Sequence, residues 1–434
     1  MNAQVLNSTV AATDNAVTTI RRALDKPGHG WATLLKLAGP AVVVSVAYID
    51  PGNIATNLQA GAQYGYSLLW VAGVASLVAT LLQTLSAKLG IVTGRNLAEL
   101  SREHFPPPLT WVMWGVSELA AMATDLGEFL GGALGISLLF HMPLLPSMVV
   151  TAIVTYAVLL LEKRGFRPLE LVVGALVGTI GLCYLMEILV THVQWPDVAK
   201  GLVVYELPDT QAVHIAVGII GATVMPHVLF LHSGLTQSRV PPRCDAERRR
   251  LLAYSNTEVI VALGIAGLIN VAMIVMAAGA FHPNHAGIAE IQVAYQTLTP
   301  LLGAAAAKLF LVALIASGIS SSVVGTMAGQ MITQGFTRFQ IPLWVRRAIV
   351  MVPSFVVVGI GVNATRALVA SQVVLSLALP FPMIALVWFT GRRELMGSYR
   401  NGLAIRVMAL LAVAMVLVLD ALLVLQTFGI DLVS

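Results

Sequence analysis

Asp50-Pro51-Gly52-Asn53 sets a carboxylate, two helix breakers and an amide inside an otherwise apolar span covering roughly residues 35–58. Proline removes a backbone donor and disfavours helix at the residue before it, and a glycine follows at once. The spacing therefore predicts an unwound stretch in mid-span. In hydrocarbon a freed carbonyl is costly unless it faces protein or water, so a break at that depth implies a polar occupant. The chemistry on offer is cation binding. Asp50 supplies an anionic oxygen, and Asn53, three residues on, can point an amide oxygen into the same space. A matching interruption, Gly221-Ala222-Thr223-Val224-Met225-Pro226-His227, lies in the sixth apolar segment and adds a thioether. Calcium and magnesium want oxygen only, whereas manganese, iron, cobalt and cadmium tolerate or favour sulfur. Met225 is one of 16 methionines, most of which fill gaps in a core, but its place immediately before Pro226 singles it out.

A second constellation lies in the third apolar segment: Glu118, Asp125 and Glu128. On a helix these share one face, with Asp125 and Glu128 about 4.5 Å apart along the axis and Glu118 about 10 Å further back. Facing lipid would cost roughly 3 kcal/mol per acid, so the stripe must look inward. Neighbouring buried carboxylates suit a proton path, and a structural salt-bridge network is the alternative. His227 and His232, on the inner half of segment six, are further proton-handling candidates, or else packing residues and helix-end cations. Thr124 and Asn270 are placed to hold waters or to orient Asp50 and Asn53 from behind.

Composition decides what surrounds these residues. The chain has 434 residues, 57% hydrophobic and only 11% charged, with a mean hydropathy of +0.84. Soluble domains carry about a quarter charged residues, so this is an all-α polytopic membrane protein. Segments long enough to cross a bilayer recur at about 35–58, 67–91, 109–138, 146–162, 169–193, 211–238, 254–281, 304–333, 342–362, 366–390 and 403–428, eleven helices in all. Pro380 and Pro382 interrupt the tenth. Residues 1–30 are polar and read as a flexible cytoplasmic tail. Cys183 and Cys244 offer neither a disulfide framework nor paired metal-ligand spacing. No HExxH, phosphate-binding glycine loop or serine-histidine-aspartate context appears, and loops this short give nucleic-acid binding no support. An enzyme is not expected, nor any cofactor.

With the N-terminus cytoplasmic, this segmentation puts 22 of the 25 lysines and arginines on one side, leaving only Lys200, Lys308 and Arg366 outside. The C-terminus is then external. Breaks in segments one and six fall in corresponding places if residues 31–193 and 211–390 are two five-helix repeats of opposite topology, with 403–428 an appended eleventh helix. Paired breaks of this kind mark a substrate site at mid-membrane. The Gly131/Gly135 and Gly174/Gly178 pairs and the small residues from Ala316 to Gly329 read as close helix contacts.

Taken together, Asp50-Pro51-Gly52-Asn53, Met225-Pro226-His227, Ala123-Thr124-Asp125-Leu126-Gly127-Glu128, Gly325-Thr326-Met327-Ala328-Gly329 and Ser371-Gln372 resemble the signature of the Nramp family, proton-coupled importers of manganese and ferrous iron. The likeness covers the chain beyond the tail. It implies a LeuT-type inverted-repeat fold and a metal held by Asp50, Asn53 and Met225, with backbone carbonyls at Ala47 and Ala222. Gln372 joins that set in some conformations. It also implies proton movement from Asp50 to Asp125 and on through a network reaching Glu128 and Arg347, beside which stands Arg346. The expected partners are a divalent metal, the proton and the bilayer, in a chain that functions as a monomer in a bacterial inner membrane. A sodium-coupled amine or amino-acid transporter on the same scaffold, a magnesium importer and a membrane metalloenzyme are the competing readings; the Met225 sulfur argues against magnesium.

Overall fold

The computed structural model of the chain describes residues 39–161, 166–237, 239–282 and 290–428. The tail, the start of the first span, and Lys163 and Arg164 lie outside the described residues. In chain order the helices are α1 (Pro40–Ala47), α2 (Pro51–Tyr64), α3 (Leu69–Thr93), α4 (Leu97–His104), α5 (Pro107–Phe140), α6 (Leu144–Leu159), α7 (Phe166–Val190), α8 (Trp195–Val203) and α9 (Thr210–Thr223). They continue with α10 (Pro226–Gln237), α11 (Asp245–Phe281), α12 (Ile291–Leu302), α13 (Ala304–Thr337), α14 (Leu343–Gly359), α15 (Ala364–Ala378), α16 (Pro380–Gly391), α17 (Arg393–Met396) and α18 (Leu403–Thr427). No strand occurs among the described residues.

Helix stands at every one of the eleven expected segments. Eight stretches are long and apolar enough by themselves to cross a membrane, counting α9 with α10 and α15 with α16 as single spans. The remaining three are α6, at 16 residues, α14, at 17, and the first span, which is divided into α1 and α2. Sequence reading passed over the connecting helices α4, α8 and α12. A signal for α4 was present, because Asn96 and Glu99 form a reciprocal capping box at its start.

Three spans are broken, and in each a proline opens the second half: Pro51, Pro226 and Pro380 occupy the first helical position, where a missing N–H costs nothing. The prolines thus start half-helices as much as they end the preceding ones. Burial sorts the spans into centre and rim. The most apolar window of α9–α10 is 94% buried and that of α13 78%, against 28% for α7 and 33% for α18. The interior is therefore built around the broken sixth span, with α5 and α13 as the most extensively packed pair.

Small residues make that pairing possible. A Cβ placed on Gly318 would lie 2.7 Å from the Glu128 carbonyl oxygen, and one on Gly135 would lie 2.7 Å from Ile315 Cγ1. Gly131 is covered by the Pro51 ring. The other glycine pair behaves differently: Gly178 meets nothing within 4 Å and Gly174 only the Val42 side chain at 3.7 Å, so these two do not mediate a tight crossing. Their helix, α7, is the most exposed of the spans, and spacing alone does not reveal which face of a rim helix meets protein. Gly318→Val should lower stability by about 1–3 kcal/mol or more through overpacking, while Gly178→Ala should be neutral. Thermal unfolding of the detergent-purified variants measures both.

Candidate metal site

The break in the first span runs from Tyr48 to Asp50; the Tyr48 and Ile49 amides donate to the backbone carbonyls of Ser45 and Val46, and side chains satisfy the groups that the break displaces. Asp50 caps α2: its Oδ2 accepts from the Gly52 amide at 3.0 Å and its Oδ1 from the Asn53 amide at 2.8 Å. In an unbroken helix those two amides would serve the carbonyls of Tyr48 and Ile49. Deprived of them, the Tyr48 carbonyl accepts from Asn270 Nδ2 on α11 at 2.8 Å, and the Ile49 carbonyl from Ser317 Oγ on α13 at 2.6 Å. The break is thereby pinned between α11 and α13.

Two other carbonyls are set free by proline. The i+4 partner of Ala47 is Pro51 and that of Ala222 is Pro226, so neither can receive the usual helical N–H. The Ala222 carbonyl instead accepts from Asn53 Nδ2 at 3.0 Å, and the same Nδ2 donates to Asp50 Oδ1 at 2.7 Å. A carboxylate from the first span and a carbonyl from the sixth therefore converge on one partly positive group. Thr223 Oγ1 donates to Asn53 Oδ1 at 3.0 Å and steadies the amide from behind. Gln372 on α15 stands against the same loop: a Cβ on Gly52 would collide with its amide, and its Oε1 has no hydrogen-bond partner. Asp50, Asn53, Ala47, Ala222, Met225 and Gln372 are all completely buried, so this conformation shuts them off from water. Met225 lies at the second break, directly before Pro226.

Asp50, Asn53 and the Ala222 carbonyl come together, and the two breaks also carry the freed Ala47 carbonyl and the Met225 sulfur. Such a mixed, singly charged set suits a divalent ion that is held and then released. Among the described residues no three His, Cys, Asp or Glu side chains gather as a closed site for a resident metal.

Asn270 does not orient Asp50 or Asn53 directly. Its amide holds the Tyr48 carbonyl and its Oδ1 accepts from Asn57 Nδ2 at 3.0 Å. Thr124 Oγ1 donates to the Ala120 carbonyl and lies 3.2 Å from His227 Nδ1, so it touches the histidine and not the Asp50 loop. Sequence reading missed Thr223, Ser317 and Asn57, because single hydroxyls and amides in apolar helices are common and only three-dimensional proximity separates them.

The acidic stripe on α5 divides. Glu118 accepts from Arg346 at 2.6 Å and from Thr333, while Asp125 accepts from Arg347 and from Ser322 Oγ at 2.8 Å. Arg346 and Arg347 are 4% and 3% exposed, and Arg347 also stacks over the Phe129 ring at 5.5 Å. Two of the three acids therefore interact with guanidinium groups instead of chiefly with each other. The sequence made carboxylate neighbours evident but gave no means of docking α14 onto α5. Glu128, fully buried against Gly325 of α13, forms no ion pair among the described residues. His232 Nδ1 lies 2.9 Å from Gln83 Oε1, and Gln83 Nε2 donates to Tyr48 Oη at 2.7 Å, which joins α10 and α3 to the first break.

Known proteins resemble this chain over nearly its whole length. The family model described as natural resistance-associated macrophage protein-like, Nramp, matches residues 41–426. A protein of Verminephrobacter eiseniae named divalent metal cation transporter MntH is 64% identical over 97% of this chain and 96% of its own length. One of the same name from Acidiphilium cryptum is 63% identical over 93% of each chain. The crystal structure of the Eremococcus coleocola manganese transporter, bound to an aromatic bis-isothiourea substituted compound, superposes with a TM-score of 0.82. It is 34% identical, over 91% of this chain and 87% of that one. Mhp1, a nucleobase-cation-symport-1 family transporter, shares the fold at a TM-score of 0.60 and 15% identity, covering 91% of this chain and 94% of its own. This integral, multi-pass membrane protein has the LeuT-type fold and belongs to the Nramp family.

Proposed function

We propose that this chain is a secondary transporter that carries divalent transition metals, manganese and ferrous iron foremost and cadmium and cobalt also, into the cytoplasm together with protons. The observation that carries the reading is the convergence of the Asp50 carboxylate and the proline-freed Ala222 carbonyl on the Asn53 amide, at a closed meeting point of two broken spans. An arriving cation takes the place of the Asn53 amide protons between those two oxygens. Rotation of the amide then turns Oδ1 toward the ion and leaves its NH2 group to donate to Thr223 Oγ1. Met225, the Ala47 carbonyl and Gln372 complete the set. The thioether favours softer ions over calcium and magnesium.

Protons travel by the acids of α5. Asp50 hands its proton toward Asp125, whose ion pair with Arg347 links α5 to α14, and Glu128, which forms no ion pair among the described residues, is the neighbouring station. Glu118 with Arg346 forms the far end of the same face. His227 and His232 flank the route on α10. Alternating access rocks one helix group against the other around the fixed site, with the two halves as inverted repeats, the N-terminus cytoplasmic and the C-terminus external, in a monomer of the bacterial inner membrane.

Isothermal titration of the purified protein should show manganese binding with no comparable heat from magnesium or calcium. Asp50→Ala should weaken manganese binding by about a hundredfold, equivalent to roughly 2.7 kcal/mol; unchanged affinity would overturn the site. In liposomes Met225→Ala should let calcium and magnesium compete for uptake more effectively than it slows manganese, and unaltered competition would remove the sulfur from the ligand set. Asp125→Asn should abolish metal-stimulated proton uptake while leaving manganese affinity within about threefold of wild type, and intact proton flux would end the relay assignment.

A further inference from the structure

One of the buried acids outside the α5 stripe lies close to the broken spans. Asp420 on α18 is 6% exposed; its Oδ1 accepts from Ser376 Oγ on α15 at 2.6 Å, and its Oδ2 is buried with no hydrogen-bond partner. It forms no ion pair among the described residues. The elements packed on α18 are α3, α9, α15 and α16, and the charged or titratable groups they bring stand elsewhere. Lys88 of α3 donates to Asn401, 19 residues and about 28 Å along the chain axis from Asp420. Arg366 of α15 lies ten residues from Ser376, about 15 Å away, and is exposed. His214 of α9 is seven residues, about 10 Å, from Gly221, the residue that abuts Ser376. Beyond α16, Arg392 stacks on Trp388. The nearby acid Asp209, just before α9, is held by Tyr64 Oη.

An ionised carboxylate in such a place, facing one hydroxyl and no cation, loses far more solvation than it regains. The group therefore keeps its proton while the seam is dry, and can release it only when water enters between α15, α18 and α9. The position of that seam matters. Ser376 is one helical turn from Gln372, and a Cβ on Gly221, the residue before Ala222, would lie 3.0 Å from Ser376 Cβ. α15 and α18 touch only over a short stretch, so the Ser376–Asp420 hydrogen bond is a substantial part of their contact.

We infer that Asp420 is a proton-binding carboxyl, separate from the Glu118, Asp125 and Glu128 set, and that its protonation holds α15 against α18 and so positions Gln372 beside the Asp50 loop. Ionisation favours the hydrated, loosened seam; protonation favours the closed one. Asp420 acts on transport through α15 and touches no cargo. The transport half of this inference rests on the proposed metal import, whereas the protonation half does not.

Two measurements on the full-length protein in liposomes test it. Infrared difference spectra recorded between about pH 5 and 9 should contain a protonated-carboxyl C=O band that is missing in Asp420→Asn, an isosteric side chain that cannot ionise. Ser376→Ala, which removes the hydrogen bond and keeps the acid, should shift that band. Manganese uptake should then show Asp420→Asn holding its maximal rate toward alkaline pH, about threefold above wild type there, with KM for manganese within about twofold. Identical spectra for wild type and Asp420→Asn, or superimposable rate profiles, overturn the assignment. If wild type takes up no manganese, the import reading fails, and the infrared comparison still decides whether Asp420 carries a proton.

Discussion

The capping of α2 by the Asp50 carboxylate is the interaction on which the rest of the site depends. By taking the amides of Gly52 and Asn53, one side chain makes a helix break at mid-membrane affordable and holds its own negative charge at the positive end of a half-helix. It also dictates what the neighbouring spans must carry. The carbonyls it displaces need donors, and Asn270 and Ser317 supply them from α11 and α13. Each such group left unsatisfied in a buried site would cost about 1–3 kcal/mol. The loop is therefore held on both flanks.

The two breaks are chemically complementary. The first contributes charge, and the second contributes a carbonyl that proline has stripped of its helical partner, with the Met225 thioether three residues further along the chain. Neither half could strip an ion of its water alone. A single carboxylate gives too few ligands, and carbonyl plus sulfur gives no charge. Their union at a buried point is what the tight α5–α13 packing and the almost wholly interior sixth span make possible.

Much of this was legible in the chain. Apolar segment length, the one-sided distribution of basic residues and two proline-containing interruptions led to the helical membrane architecture, and Asp50 and Asn53 stood out because charge and amide are rare in hydrocarbon. The family resemblance put Arg347 in one network with Asp125 and Glu128, but the residues themselves did not say which acid each arginine meets. That Asp125 meets Arg347 and Glu118 meets Arg346 depends on how α14 lies across α5, a contact between elements more than 200 residues apart in the chain. The supporting hydroxyls and amides were equally silent, since Ser317 and Asn57 look like any small polar residue in a helix. Asn270, expected to hold waters or to orient Asp50 and Asn53, holds the Tyr48 carbonyl of the same break, because periodicity assigns a face and not the atom that the face will meet. Gly174 and Gly178 erred in the opposite sense, a small-residue motif on a helix turned largely outward.

Because proline opens the inner or outer half of three separate spans, each half is a short rod joined to its partner by a link of no more than a few residues. Tilting such a rod needs only a handful of backbone torsions to change, with few hydrogen bonds crossing the link. In the first and sixth spans those same links carry or border the residues proposed above to hold a metal. On that reading a bound ion would sit on the pivots themselves and stiffen the joints about which the molecule bends, so that an empty carrier and a full one would differ in how easily they flex.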